Sequence, residues 1–288
     1  MKYFRTILIL LMVTTSAFKT GKPAWLLYSQ QGKKVRYEKM IRDIRNADVI
    51  LFGEYHNNPV SHWLQLELSR DLLAVKGQKL VLGAEMFETD NQIILNEYVQ
   101  GIISQSRFEA EARLWPNYTT DYRPLVEMAR ENQLRFVATN IPRRYASLVH
   151  SGGFEGLEKL SGKANDFLPP LPIEYNPDLP AYKSMLEMEG PGHHVNKNFP
   201  KAQAIKDATM AHFILKNWSP GNLFLHFNGT YHSDNFEGIY WYLMQQNPDL
   251  KIATITTVSQ SDISSLEDEN LGKANYIICV DEDMTPTH

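Results

Sequence analysis

The stretch Asp48–Asn58, DVILFGEYHNN, decides the architecture. A short apolar run rich in branched residues and closed by Gly53 reads as a strand buried on both faces. The polar residues Glu54, Tyr55, His56, Asn57 and Asn58 follow with no spacer. The segment 59–76 then reads as a helix. Pro59 sits in its first turn, where a missing N–H costs nothing, and Leu64, Leu68, Leu72 and Val75 recur at helical spacing before Gly77 stops it.

The same grammar recurs along the chain. KLVLGA (79–84), LRFVAT (134–139), NLFLHF (222–227), 251–258 and 276–280 read as further strands. Helical patterns fill 33–46, 89–101, 107–114, 122–132, 142–150, 199–217 and 235–246. Apolar strands alternating with helices predict an α/β fold, a mostly parallel sheet flanked by helices with helical and loop insertions. The segment 152–200 holds seven of the fifteen prolines and reads as an inserted loop or lid within one α/β domain spanning 19–288.

Composition narrows the function classes. The chain has 288 residues, 43% hydrophobic and 22% charged, which excludes wholesale disorder and collagen-like repeats. A net charge of −4 gives no nucleic-acid footprint. No segment reaches the ~18 apolar residues of a membrane span. Lys2 and Arg5 precede the apolar core Ile7–Val13 and the small residues Thr14–Ala17, the pattern of a secretory signal over residues 1–18. Cys279 is the only cysteine, so no intrachain disulfide forms, and its apolar surroundings predict a core residue.

In parallel sheets ligands bind beyond the carboxyl ends of the strands. Four predicted strands end in chemistry-bearing residues: Glu54 and His56, then Glu85, then Arg143 and Arg144, then His232. One shared edge would gather them in one cleft. Two imidazoles with Glu54 and Glu85 could hold a divalent metal. Without metal the same set could run acid–base hydrolysis, with arginine holding an anion. His193 and His194 fall in the inserted segment, where they could touch a ligand. His62 and His212 fall on helices as surface or partly buried residues, and His226 inside a strand as a satisfied core residue. Trp115, Tyr118, Tyr122 and Tyr145 read either as core or as walls for a flat apolar ligand, with a tyrosine oxygen available to haem iron.

Six stretches carry a family resemblance: Leu51–Pro59, Gly83–Asp90 with Gln92, Trp115–Tyr122, Thr139–Arg143, Ala202–Ala211 and Asn228–Ser233. In this order they resemble the ChaN-type haem-binding family, part of a superfamily with the Tiki proteases and erythromycin esterases. The resemblance implies haem binding in iron uptake, a periplasmic or cell-surface setting, a tyrosine iron ligand and haems stacked across a homodimer. Tyr118 and Tyr122 come first as that ligand and Tyr145 third. In the wider superfamily the positions matching Glu54, His56, Glu85, Arg143 or Arg144, and His232 line hydrolase active or metal sites. An esterase or peptidase is therefore the alternative expectation. The chain departs from lipoprotein members in lacking a cysteine after the apolar core.

Overall fold

The computed structural model describes residues 21–187 and 196–288. The proposed signal segment and His193–His194 lie outside the described residues. Seven strands form one sheet: β1 (Trp25–Ser29), β2 (Val49–Glu54), β3 (Leu80–Glu88), β4 (Arg135–Asn140), β5 (Leu223–Gly229), β6 (Ile252–Gln260) and β7 (Tyr276–Asp281). Their order is β1-β7-β6-β2-β5-β3-β4. Every pairing is parallel except that of β1 with β7. The six predicted strands are all present, so the α/β expectation holds. The strand missed is β1, an antiparallel edge strand that pairs on one side only.

Helices cover both faces: α1 (Tyr37–Ile44), α2 (Pro59–Lys76), α3 (Gln92–Val99), α4 (Gln105–Glu111), α5 (Arg123–Glu131), α6 (Arg143–Gly152), α7 (Pro180–Glu187), α8 (Phe199–Asn217) and α9 (Ile239–Gln246). α2 begins as its sequence dictates. Asn58 caps it by accepting the Ser61 N–H at 2.9 Å, and Pro59 opens the first turn. Its Leu64, Leu68 and Leu72 are buried against Ile50, Phe52 and Leu82 of the sheet. Each contributes about 1.5–3 kcal/mol by leaving water. The opposite layer packs Ala208, Met210, Ala211 and Ile214 of α8 and Leu243 of α9 against Val49, Leu51, Val81 and Phe224. α1 is shorter than the predicted 33–46 because Lys34 turns back to bridge Tyr28 beside β1.

Within the Pro-rich segment, two short 3-10 turns (Phe154–Lys159 and Gly162–Phe167) and α7 pack on α6 and α8 through Leu157, Leu168, Tyr182 and Met185. Among the described residues no helix is long and apolar enough to cross a membrane.

Two details of the sheet aim side chains. β2 is flanked by β5 on one side and β6 on the other. Between Ala84 and Glu88, β3 carries more residues than β4 opposite it, a bulge that frees Glu85 from the ladder's alternation. The carboxyl ends of β2, β3, β4 and β5 then lie along one edge.

Candidate functional site

A cleft of about 930 Å³ opens at that edge, near the upper end for small-molecule sites. It is lined by Glu54, His56, Glu85, Arg143 and His232 from four different strand ends. The sheet thus brings together five of the six residues named from sequence. The sixth, Arg144, turns aside. Its guanidinium bonds Asp90 at 2.6 Å and lies 4.4 Å over the Tyr145 ring.

His56 is the accessible imidazole, its side chain 40% exposed. Its Nδ1 bonds Glu54 Oε1 at 2.9 Å and its ring meets Trp115 edge-on at 4.9 Å. Burial alone would push its pKa down. The hydrogen bond that its Nδ1–H donates to Glu54 and the charges of Glu85 and Glu54 outweigh that, leaving it raised. Gly229 lets the chain pass this ring: a Cβ there would stand 2.8 Å from His56 Nε2.

Glu54 is fully enclosed. It accepts the Tyr122 hydroxyl at 2.7 Å and the Gln65 amide. His62 on α2 stands beside it, with Nδ1 at 3.7 Å from Glu54 and Nε2 at 3.4 Å from Asp121. His62 is therefore a buried member of this network and not a surface residue.

The second imidazole is clamped. His232 Nδ1 meets Asp207 at 2.5 Å, and Nε2 meets Glu85 at 3.1 Å. Both ring nitrogens can donate only in the imidazolium form. Burial works against that form, but the Glu85 and Asp207 carboxylates outweigh it and the His232 pKa rises. Glu85 moves the other way. Desolvation would raise it, yet the His232 charge holds it well below the usual carboxylate range, helped by the Gly229 N–H at 2.8 Å. Asp207 also accepts the Tyr182 hydroxyl at 2.8 Å, and burial raises its pKa. Asp207 and Gln203, which contacts the His232 ring at 3.0 Å, were not singled out from sequence. The signal was an aspartate on a helix face otherwise made of Ala204, Ile205, Ala208 and Ala211. A buried acid needs a partner.

The tyrosines divide. Tyr118 lies between Phe87 and Phe108, its hydroxyl buried without a hydrogen-bond partner among the described residues. Burial raises the pKa of Tyr118 and Tyr122 alike. Neither lines the cleft, because both hydroxyls point into the fold, and Tyr145 packs with Ile141 and Ala146 beneath Arg144. Tyr231, which sequence reasoning passed over inside the NGTYHS stretch, is 51% exposed and lines the cleft.

The donor set can be tested against the two groups expected. Among the described residues no three His, Cys, Asp or Glu side chains are grouped to hold a metal ion. His232 spends both ring nitrogens on carboxylates, and His56 spends one on Glu54. A flat tetrapyrrole fits better. Trp115, Ile141 and Phe199 offer apolar walls, and Arg143 and Lys206 line the same cleft. Neither cation pairs with a carboxylate among the described residues. The Asn140 Oδ1 is buried at the cleft without a partner among the described residues.

The model of the ChaN family, haem-binding uptake proteins of the Tiki superfamily, matches residues 40–243. The chain belongs to this family. All six stretches quoted above fall inside the matched region. A chloroplastic protein of Arabidopsis thaliana, RETICULATA-RELATED 5, is 24% identical over 205 residues, covering 66% of this chain. The chain spans about a quarter of that relative, 27% of its length. Among solved structures, ChaN of Campylobacter jejuni, described with cofacially bound heme, aligns with TM-score 0.68 and 17% identity. That alignment covers 88% of this chain and 96% of the other. The type III effector HopBA1 aligns with TM-score 0.51 and 12% identity over 89% and 99% of the two chains. These likenesses establish a shared fold.

Proposed function

We propose that this chain is a haem-binding protein of haem or iron uptake, working outside the cytoplasm, and that haem enters the cleft at the strand ends. The observation that carries the reading is the cleft's mixed lining. It sets apolar walls, the cations Arg143 and Lys206, unpaired with any carboxylate among the described residues, and the exposed Tyr231 around one space of about 930 Å³. Bound haem brings an iron that needs an axial donor and two anionic propionates. Tyrosine oxygen is an established donor, and Arg pairs well with carboxylates. Tyr231 is the proposed tyrosine ligand, since it reaches the cleft without dismantling the core. Tyr118 and Tyr122 would have to leave buried positions first. Arg143 and Lys206 are the proposed propionate partners.

A homodimer that brings two haems together belongs to the same reading. The family match is to the haem-uptake branch, so the hydrolase alternative is not carried forward. Hemin titration tests the proposal. Saturable binding with a tyrosinate-type visible spectrum is expected, and that spectrum should be lost in Tyr231→Phe. Sedimentation with and without hemin reads the oligomeric state. Absence of saturable binding would overturn the proposal.

A further inference from the structure

β4 ends in a polar side chain that the fold leaves unsatisfied. Asn140 is its last residue, 8% exposed, and lines the cleft. Its Oδ1 is buried without a hydrogen-bond partner among the described residues. Leaving a buried polar group unpaired costs stability, whereas an apolar side chain of the same shape would not. Thr139, which faces the other side of the sheet, shows the usual outcome: its hydroxyl bonds the His226 ring at 2.7 Å. With no hydrogen bond to hold it, the Asn140 carboxamide can turn and present either its oxygen or its NH2 group.

A few residues on, the chain enters α6, and that helix begins uncapped. Pro142 holds the N-cap position, where its side chain has no atom to accept a hydrogen bond, and the first turn contains no acidic residue. The Tyr145 N–H donates to Pro142 O at 2.8 Å, but the Arg143 and Arg144 N–H groups before it find no acceptor among the described residues. The positive end of a ten-residue helix is therefore unanswered. It follows β4 directly, so it stands at the sheet edge where the cleft opens, and Arg143 lines that cleft. The acids nearby are already paired. Glu88, opposite Asn140 in the β3–β4 ladder, meets Arg113 at 3.1 Å, Asp90 meets Arg144 at 2.6 Å and Glu85 meets His232 at 3.1 Å. An anion at this point would receive backbone N–H groups and the Asn140 NH2, with the Arg143 charge beside it.

We propose that Asn140 and the amino end of α6, with the Arg143 side chain, form a carboxylate pocket in the cleft that takes one haem propionate. This rests on the haem-binding reading. It adds a buried amide and a helix end to Arg143, so the cleft recognises the free acid and not the macrocycle alone. The test compares hemin with hemin dimethyl ester, whose two carboxyl groups are neutral, on the unaltered chain and its Asn140→Leu variant. In the variant hemin should bind about tenfold or more weakly, while ester binding shifts by less than about twofold. The visible spectrum of bound hemin should keep its form, because the iron ligand is untouched. Equal weakening for both tetrapyrroles would overturn the carboxylate pocket, because the contact would then be with the macrocycle. Unchanged hemin affinity would overturn it as well. Both results leave the haem reading standing. Absence of hemin binding by the unaltered chain removes the haem reading and this one with it. Without ligand, Asn140→Leu should melt at or above the temperature of the unaltered chain, since it removes an unpaired buried amide. A lower Tm together with weaker binding of both tetrapyrroles would make Asn140 a packing residue instead. Asn140→Asp, which keeps the shape and sets a like charge against the propionate, should weaken hemin further than Asn140→Leu does and still spare the ester.

Discussion

Glu85→Gln isolates the charge of the buried clamp while keeping its shape. The glutamine oxygen can still accept the Gly229 N–H, now at 2.8 Å from Glu85 Oε2. What disappears is the anion 3.1 Å from His232 Nε2, inside a site where both side chains are 6% exposed. Removing one member of a buried ion pair leaves the other charge poorly compensated and costs about 3–5 kcal/mol. Asp207, 2.5 Å from the opposite nitrogen, still compensates His232, so the lower end, about 3 kcal/mol, is expected. For a chain of this size that lowers Tm by roughly 6–12 °C. The sign of the pH dependence follows from the two shifts. The His232 pKa is raised, so its contribution is complete below the ordinary histidine value and fades as pH climbs through the folded value. The Glu85 pKa is lowered, so its contribution is present above the ordinary carboxylate value and fades as pH falls. The gap between the two proteins should be widest from about pH 5 to 7 and close on either side. Calorimetry across pH 4–9 measures it, and imidazole nitrogen NMR reads the His232 proton directly. A Tm change under about 2 °C at pH 6, or a His232 titrating near its ordinary value of about 6.5 in the unaltered protein, would refute the ion-pair reasoning.

Other substitutions separate neighbouring roles. Gly229→Ala places a Cβ 2.8 Å from His56 Nε2 and 2.9 Å from Cε1, so the ring must move; Tm should change less than in Glu85→Gln while the His56 imidazole resonances and hemin affinity shift. Tyr122→Phe removes a 2.7 Å bond to the Glu54 carboxylate and should cost about 2 kcal/mol in urea unfolding, while the hemin spectrum keeps its form because Tyr122 does not line the cleft. Asp234, whose carboxyl accepts from Thr256 at 2.5 Å, is pushed up to about 6 by burial. The folded protein then holds a proton that the unfolded chain releases between about pH 4 and 6, so stability falls across that window by up to about 3 kcal/mol. Asp234→Asn should flatten that part of the urea midpoint profile; an unchanged slope would show that Asp234 titrates alike in both states.

The sheet was legible because a strand covered on both faces is apolar along nearly its whole length, as DVILF, KLVLGA and NLFLHF are. β1 escaped because WLLYS has one neighbour and only two buried residues, so its sequence carries half the constraint. Strand ends were legible for a related reason. A polar residue directly after a buried run can be read without knowing the packing, which is how Glu54, His56, Glu85, Arg143 and His232 came together. Their partners sit on helices, where position along the chain says nothing about which strand end a side chain meets. His62 and Gln65 lie on the buried face of α2 beneath Glu54, and Gln203 and Asp207 on that of α8 beside His232.

Those hidden partners give the two imidazoles different work. His232 is bound at both nitrogens by acids from β3 and α8, so it has no free lone pair and ties three elements of the fold together. His56 is bound at one nitrogen, by Glu54, and keeps an exposed side chain against Trp115. A ligand in the cleft therefore meets a rim whose buried charges are already balanced among themselves, and its own charge must be answered by residues outside those pairs. Arg143, Lys206 and Tyr231 are such residues. Affinity for an anionic tetrapyrrole should consequently respond to substitutions among these three, whereas changes at Glu85 or Asp207 should act mainly through stability. Equal losses of hemin affinity in both groups, measured well below each variant's Tm, would mean that the clamp itself contacts the ligand.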